Sequence, residues 1–182
     1  MSEETNNGEH ADYGYIALQW WRTLTGQHPG KKETGKDRAS RARLRRASPA
    51  DAMCEEATLH LFHALKLPER KLPRVATLAA VLATIREDDS KRPFGRQIGR
   101  EKIDDAQSAK LSALRFKRLL EAETEDEIAT AFRRAVAIAR FNANVGDVTK
   151  TLLSWERNAT KPRLILDYYG AAERPQPDSA AA

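Results

Sequence analysis

The sequence predicts an all-α protein: two small helical bundle domains packed together. Three observations carry that expectation. Ala, Leu, Arg and Glu, all strong helix formers, dominate the 182 residues. Runs of Val, Ile and Thr that would argue for strands are scarce. Apolar residues recur at helical spacing in successive segments bounded by capping residues, Gly or Pro, and that rhythm lapses between residues 90 and 106.

Residues 1–10 are polar and acidic and read as a disordered lead. A first helix is expected over about 11–25, with Ile16, Trp20 and Leu24 four apart. Trp21 stands beside Trp20, and two adjacent Trp cannot share one direction on a helix. One should anchor the core and the other lie at an edge or interface. A loop follows to Gly35, and Asp37 is the expected N-cap of a helix over 37–47. Ser48-Pro49-Ala50-Asp51 has cap, Pro and acid in the order that opens a helix, predicted to run unbroken to Leu67-Pro68 through Met53, Ala57, Leu61 and Leu65. Leu72-Pro73 opens the fourth, with Val75, Leu78, Ala79, Leu82 and Ile85 on one face, ending near Asp88. Residues 90–106 hold Pro, two Gly and many charges, and are expected to link an N-terminal domain (11–89) to a C-terminal one (107–170). Helix five spans about 107–121. Thr124 and Glu127 form a capping box for helix six, whose stripe is Ile128, Phe132, Ala135 and Val136. Residues 142–146 break the pattern. Helix seven follows over about 147–157, and Thr160-Lys161-Pro162 starts the last, through Tyr168-Tyr169. The tail, 171–182, should fray.

An apolar share of 41% supports a modest core. The single cysteine, Cys54, allows no internal disulfide and no cysteine-based metal site. No secretory leader is apparent and no apolar run reaches about 18 residues, so a cytoplasmic protein without membrane contact is expected. Glu56-x-x-x-His60-x-x-His63 could formally hold a metal, but no second helix carries the matching Glu-x-x-His, so none is expected. The pairs Asp88-Asp89 and Asp104-Asp105 flank a loop and read as helix caps. With no Gly-rich phosphate loop and no nucleophile elbow, no catalytic residues and no cofactor are expected.

Charge says more. The net charge is +5, and it is concentrated. Residues 30–50 carry eight Lys or Arg against two acids, and residues 133–163 seven against two, whereas 121–127 hold five acids and no base. Such clustering favours a polyanionic partner. On helix two, Arg38, Arg41 and Arg45 lie within about 60° of one another, with Arg46 beside them and Lys36 leading in. A stripe of guanidinia can fork onto successive phosphates without reading bases. The alternative is a solvated face with ion pairs, for which helix two offers few acids of its own. On helix five, Lys117 and Arg118 read as surface groups. Arg115 is centred among Leu111, Leu114 and Leu119 and reads either as a half-buried arginine with a structural partner or as an arginine at a seam where a polynucleotide or partner subunit docks, the first being favoured. On helix six, Arg133 and Arg140 share a face and Arg134 lies across the stripe; a basic track and simple surface pairing both fit. Trp155, Tyr168, Tyr169, Phe132 and Phe116 sit in apolar patterns, and most of them read as core. Two other functions fit parts of the pattern: a helix-turn-helix regulator built on helices six and seven, and an adaptor whose basic faces meet acidic proteins.

The ordered motifs narrow this. Arg41-Ala42-Arg43-Leu44-Arg45-Arg46 is similar to the R-A-x-L-R-R motif of CasB-type small subunits of the type I-E CRISPR Cascade complex, and Phe62 and Leu65 follow as its Phe-x-x-Leu. Leu111 to Leu120 resembles that family's S-x-L-R-F-x-R-L-L segment. Phe132-Arg133-Arg134-Ala135, Asn144-Val145, Leu152-Leu153 with Trp155, and Tyr168-Tyr169 come after it in the family's order. Ser40, Thr151 and Leu164 depart from the pattern. The resemblance implies a two-domain helical subunit without enzymatic activity. It would sit as one of two copies beside the other Cascade subunits and help hold single-stranded DNA and the crRNA–DNA hybrid of the R-loop. Its implied contacts are Arg41, Arg45 and Arg46, then Lys117 and Arg118, then Arg133 and Arg134.

Overall fold

The computed structural model describes residues 12–171; the expected lead and all but the first residue of the expected tail lie outside them. These residues form ten α-helices: α1 (Tyr13–Leu24), α2 (Gly35–Arg46), α3 (Pro49–Met53), α4 (Glu56–Leu65), α5 (Leu72–Leu82), α6 (Phe94–Ile98), α7 (Ala113–Leu120), α8 (Glu125–Ile138), α9 (Val145–Leu153) and α10 (Thr160–Tyr169). The fold is all-α. Its one sheet among the described residues is a two-residue parallel pairing of β1 (Glu87–Asp88) with β2 (Asn142–Ala143). No helix among them is long and apolar enough to cross a membrane.

The centre is α5. Every residue from Arg74 to Leu82 is buried, so the helix is covered on all sides and not only along one stripe. Around it pack α2, α3 and α4 from the first half of the chain, and α8 and α9 from the second. The adjacent tryptophans divide as expected. Trp21 is buried, with its indole donating to the Ile85 carbonyl at 3.3 Å, while Trp20 is half-buried and donates to Ala57 at 2.8 Å. Phe116, Phe132, Trp155 and Tyr168 are in the core, and Phe116 stacks on Tyr168 with ring centroids 3.8 Å apart.

Three local departures have physical reasons. Thr34, not Asp37, is the N-cap of α2; Asp37 is the third residue and completes a capping box by accepting from the Thr34 amide at 3.0 Å. The helix expected to run unbroken from Pro49 is two helices, interrupted at Cys54-Glu55. On one straight helix Ala52 and Leu61 would point about 180° apart. The break lets both be buried while α3 and α4 each pack on α5. Third, the segment expected as a linker contains α6, whose Phe94 and Ile98 are fully buried, with Phe94 stacked 5.9 Å from Phe132. One core therefore runs continuously across residues 90–106.

Candidate nucleic-acid interface

The structure sorts the basic residues of α2 into three groups. Lys36, Arg38 and Arg43 are exposed but paired: Lys36 with Glu56 at 2.9 Å, Arg38 with Glu33 at 3.3 Å, Arg43 with Glu55 at 2.8 Å. The helix supplies few acids of its own, and the partners come from the preceding loop and from the start of α4. Arg41 is half-buried and turned inward. Its guanidinium donates to the carbonyls of Ala83 (3.3 Å) and Ile85 (3.0 Å), beyond the C-terminus of α5, and burial pushes its pKa below the usual arginine value. Arg45 and Arg46 are exposed, with no ion-pair or hydrogen-bond partner among the described residues.

On α8 the pattern repeats. Arg133 is half-buried and donates to Ala80 (3.3 Å), Leu44 (2.9 Å) and Ala47 (2.8 Å), tying the end of α2 to α8; burial lowers its pKa too. Arg134, the next residue, is exposed and unpaired among the described residues. Arg140 is exposed just past α8, in a left-handed conformation with φ 58°. On α7, Lys117 is exposed 3.7 Å from Glu121, and Arg118 is exposed without a partner among the described residues. The favoured expectation for Arg115 is corrected: it is exposed, with no carboxylate and no carbonyl holding it among the described residues. α7 is short, and its buried side is taken by Phe116 and Leu119, which leaves Arg115 on the rim of a hollow.

That hollow lies between α7 and α8 and has a volume of about 510 Å³. Arg115 and Arg118 stand on one wall and Arg134 on the other, over an apolar lining that includes Leu111, Leu119 and Ala137. Since Arg133 holds the carbonyl of Ala47, the residue after Arg46, the free arginines of α2 and those around the hollow belong to neighbouring elements. The sequence allowed two positions for Arg115, half-buried with a structural partner or at a docking seam; its exposure on the rim of the hollow matches the second.

The model of the family described as CRISPR-associated protein Cse2 matches residues 40–169. The chain belongs to the Cse2 family. Two solved structures from Thermus thermophilus share the fold: a CRISPR-associated protein of the Cse2 family, and CasB. Each is 24% identical with a TM-score of 0.63, over 87% of this chain and 98% of its own. A chain in the crystal structure of E. coli Cascade bound to a PAM-containing double-stranded DNA target is 19% identical, with a TM-score of 0.58 over 85% of this chain and 95% of its own. No curated protein sequence matches.

Other groups singled out in the sequence are engaged elsewhere in this Cse2-family chain. Glu56 lies between Lys36 and His60, and no group of three or more His, Cys, Asp or Glu among the described residues is placed to hold a metal. Asp88, in β1, accepts from the Val145 amide at the start of α9, whose own N-cap is Asn144, and Asp105 caps a short 3-10 turn by accepting from the Ser108 amide. The helix that would read bases in a helix-turn-helix protein, α9, is packed against α1 and α5, with Val145, Val148, Thr149, Thr151 and Leu152 buried.

Proposed function

We propose that this Cse2-family chain is a non-catalytic subunit of a Cascade-type complex that holds single-stranded DNA and crRNA–DNA hybrid through sequence-independent contacts to phosphates. The observation that carries this reading is the set of exposed guanidinia with no partner among the described residues: Arg45 and Arg46 on α2, Arg115 and Arg118 on α7, and Arg134 on α8. An exposed arginine without a carboxylate keeps its forked donors and its charge for an incoming anion. Family membership and the fold shared with a chain of E. coli Cascade supply the setting. In such a setting guide pairing selects the sequence, and the protein needs only to favour the opened duplex.

The test is a titration of labelled single strands and duplexes of unrelated sequence, followed by anisotropy at several salt concentrations. Binding should be indifferent to sequence and fall linearly with salt on logarithmic axes. The variant Arg45→Ala, Arg46→Ala, Arg118→Ala, Arg134→Ala should bind more weakly, with a single-strand salt slope smaller by up to about 3, since each lost phosphate contact removes about 0.7. Its circular dichroism should match wild type. No binding by the wild type, or an unchanged slope in a folded variant, would hand the basic faces to protein partners.

A further inference from the structure

Exposed arginines on a convex surface would suffice to hold phosphates. The hollow between α7 and α8 is more than that. It places three guanidinia with no partner among the described residues around an apolar surface, within a volume of about 510 Å³. Ordinary small-molecule sites occupy roughly 300–1,000 Å³. Small residues make the room: Ala131 and Ala137 on α8 face Leu111 and Leu119. An anion with no apolar part would gain nothing from that lining.

We propose that this hollow takes one unstacked nucleobase of a bound single strand, with Arg115, Arg118 and Arg134 holding the phosphates on either side. The proposal rests on the phosphate-binding reading above and adds a base to it. Cations on both walls suit a chain whose charges flank a flat uncharged ring. Guanidinium planes and aliphatic side chains can both cover a base face, and neither discriminates among bases, so the site is indifferent to sequence. The ends of the hollow differ. Beyond Arg118 and Arg134 the cleft continues past Glu121, Asp126 and Glu127, which repel a polyanion. At the other end, next to Leu111 and Ile138, Arg92, Lys110 and Arg140 outnumber Glu87 and Asp89. The strand therefore enters and leaves on the Arg140 side, and only a short stretch of it is held in the hollow.

The experiment compares wild-type binding to a single strand and to an abasic strand of equal length at the same salt. It also follows 2-aminopurine fluorescence in the first. The strand with bases should bind roughly tenfold more tightly, and 2-aminopurine should brighten as it leaves the stack. Ala137 is exposed, so Ala137→Leu fills the hollow without changing charge. That variant should lose both the preference and the brightening, and keep its affinity for the abasic strand and its salt slope. Equal wild-type affinity for the two strands would overturn the proposal and leave the hollow to an acidic protein surface. So would an Ala137→Leu protein that folds and keeps the preference. If wild type binds neither strand, the phosphate reading falls and this proposal with it. The wild-type comparison decides without any variant.

Discussion

An arginine offers a planar fork of donors with a permanent charge, and that fork suits a phosphate and the carbonyls at a helix C-terminus equally well. Arg41 and Arg133 are committed to the second use. The first holds the carbonyls that follow α5, and the second those at the end of α2. Their neighbours Arg45, Arg46 and Arg134 have no such acceptor among the described residues. The division was not legible in the sequence, because the acceptors are backbone carbonyls from residues 42 and 89 positions away, and every residue type has one. The partners of Lys36 and Arg43 were hidden for the same reason: Glu56 and Glu55 are distant in the chain and close in the fold. Arg133→Ala removes three charge-assisted hydrogen bonds and should destabilise the protein by about 2 kcal/mol, read as a lower denaturant midpoint. Arg45→Ala should change stability by less than about 0.5 kcal/mol and act on binding alone.

Element boundaries were legible at some of the side-chain caps, though not at Thr34 of α2 or Asn144 of α9. The Thr124–Glu127 box opens α8, and Ser48 and Pro49 open α3, as expected from their residues. The helix that escaped was α6. Five residues are too few to display a period, and Gly95 and Gly99 read as breakers in a charged, Pro-containing stretch. In the fold those glycines are what let α6 approach α10. A Cβ on Gly95 would sit 2.6 Å from the Asp167 Cβ, and one on Gly99 only 2.1 Å from the Tyr168 carbonyl oxygen, where the Arg100 amide also bonds at 2.7 Å. The neighbour at Gly99 is backbone, so it cannot swing aside. Gly99→Ala should therefore cost about 2 kcal/mol, the scale of overpacking in a filled core. The loss should appear as a lower melting temperature. Lys110→Ala, in the exposed segment after α6, should leave it unchanged.

At the scale of the whole molecule, the question is whether the halves on either side of residues 90–106 could stand alone. The packing of α5 argues that they could not. Its buried faces are covered partly by α8 and α9, and Arg74, only 5% exposed, finds its partners there: Glu125 at 2.9 Å, the Leu152 carbonyl at 3.1 Å and Glu156 at 3.3 Å. Thr77 donates to the same Glu125 carboxylate. Removing the second half would expose the apolar side of α5 and strip a buried cation of its partners, and both effects oppose folding. A fragment of residues 1–89 should therefore show no cooperative thermal transition by circular dichroism, while the full chain melts in one step. A fragment that melts cooperatively would make the halves independent units after all. The same coupling bears on function. Arg133 of α8 holds the end of α2, so the free arginines of α2 come beside those of α7 and α8 only when both halves are folded together. Loss of the second half should thus cost the fragment not only its stability but also its hold on single-stranded DNA, even though Arg45 and Arg46 are still present in it.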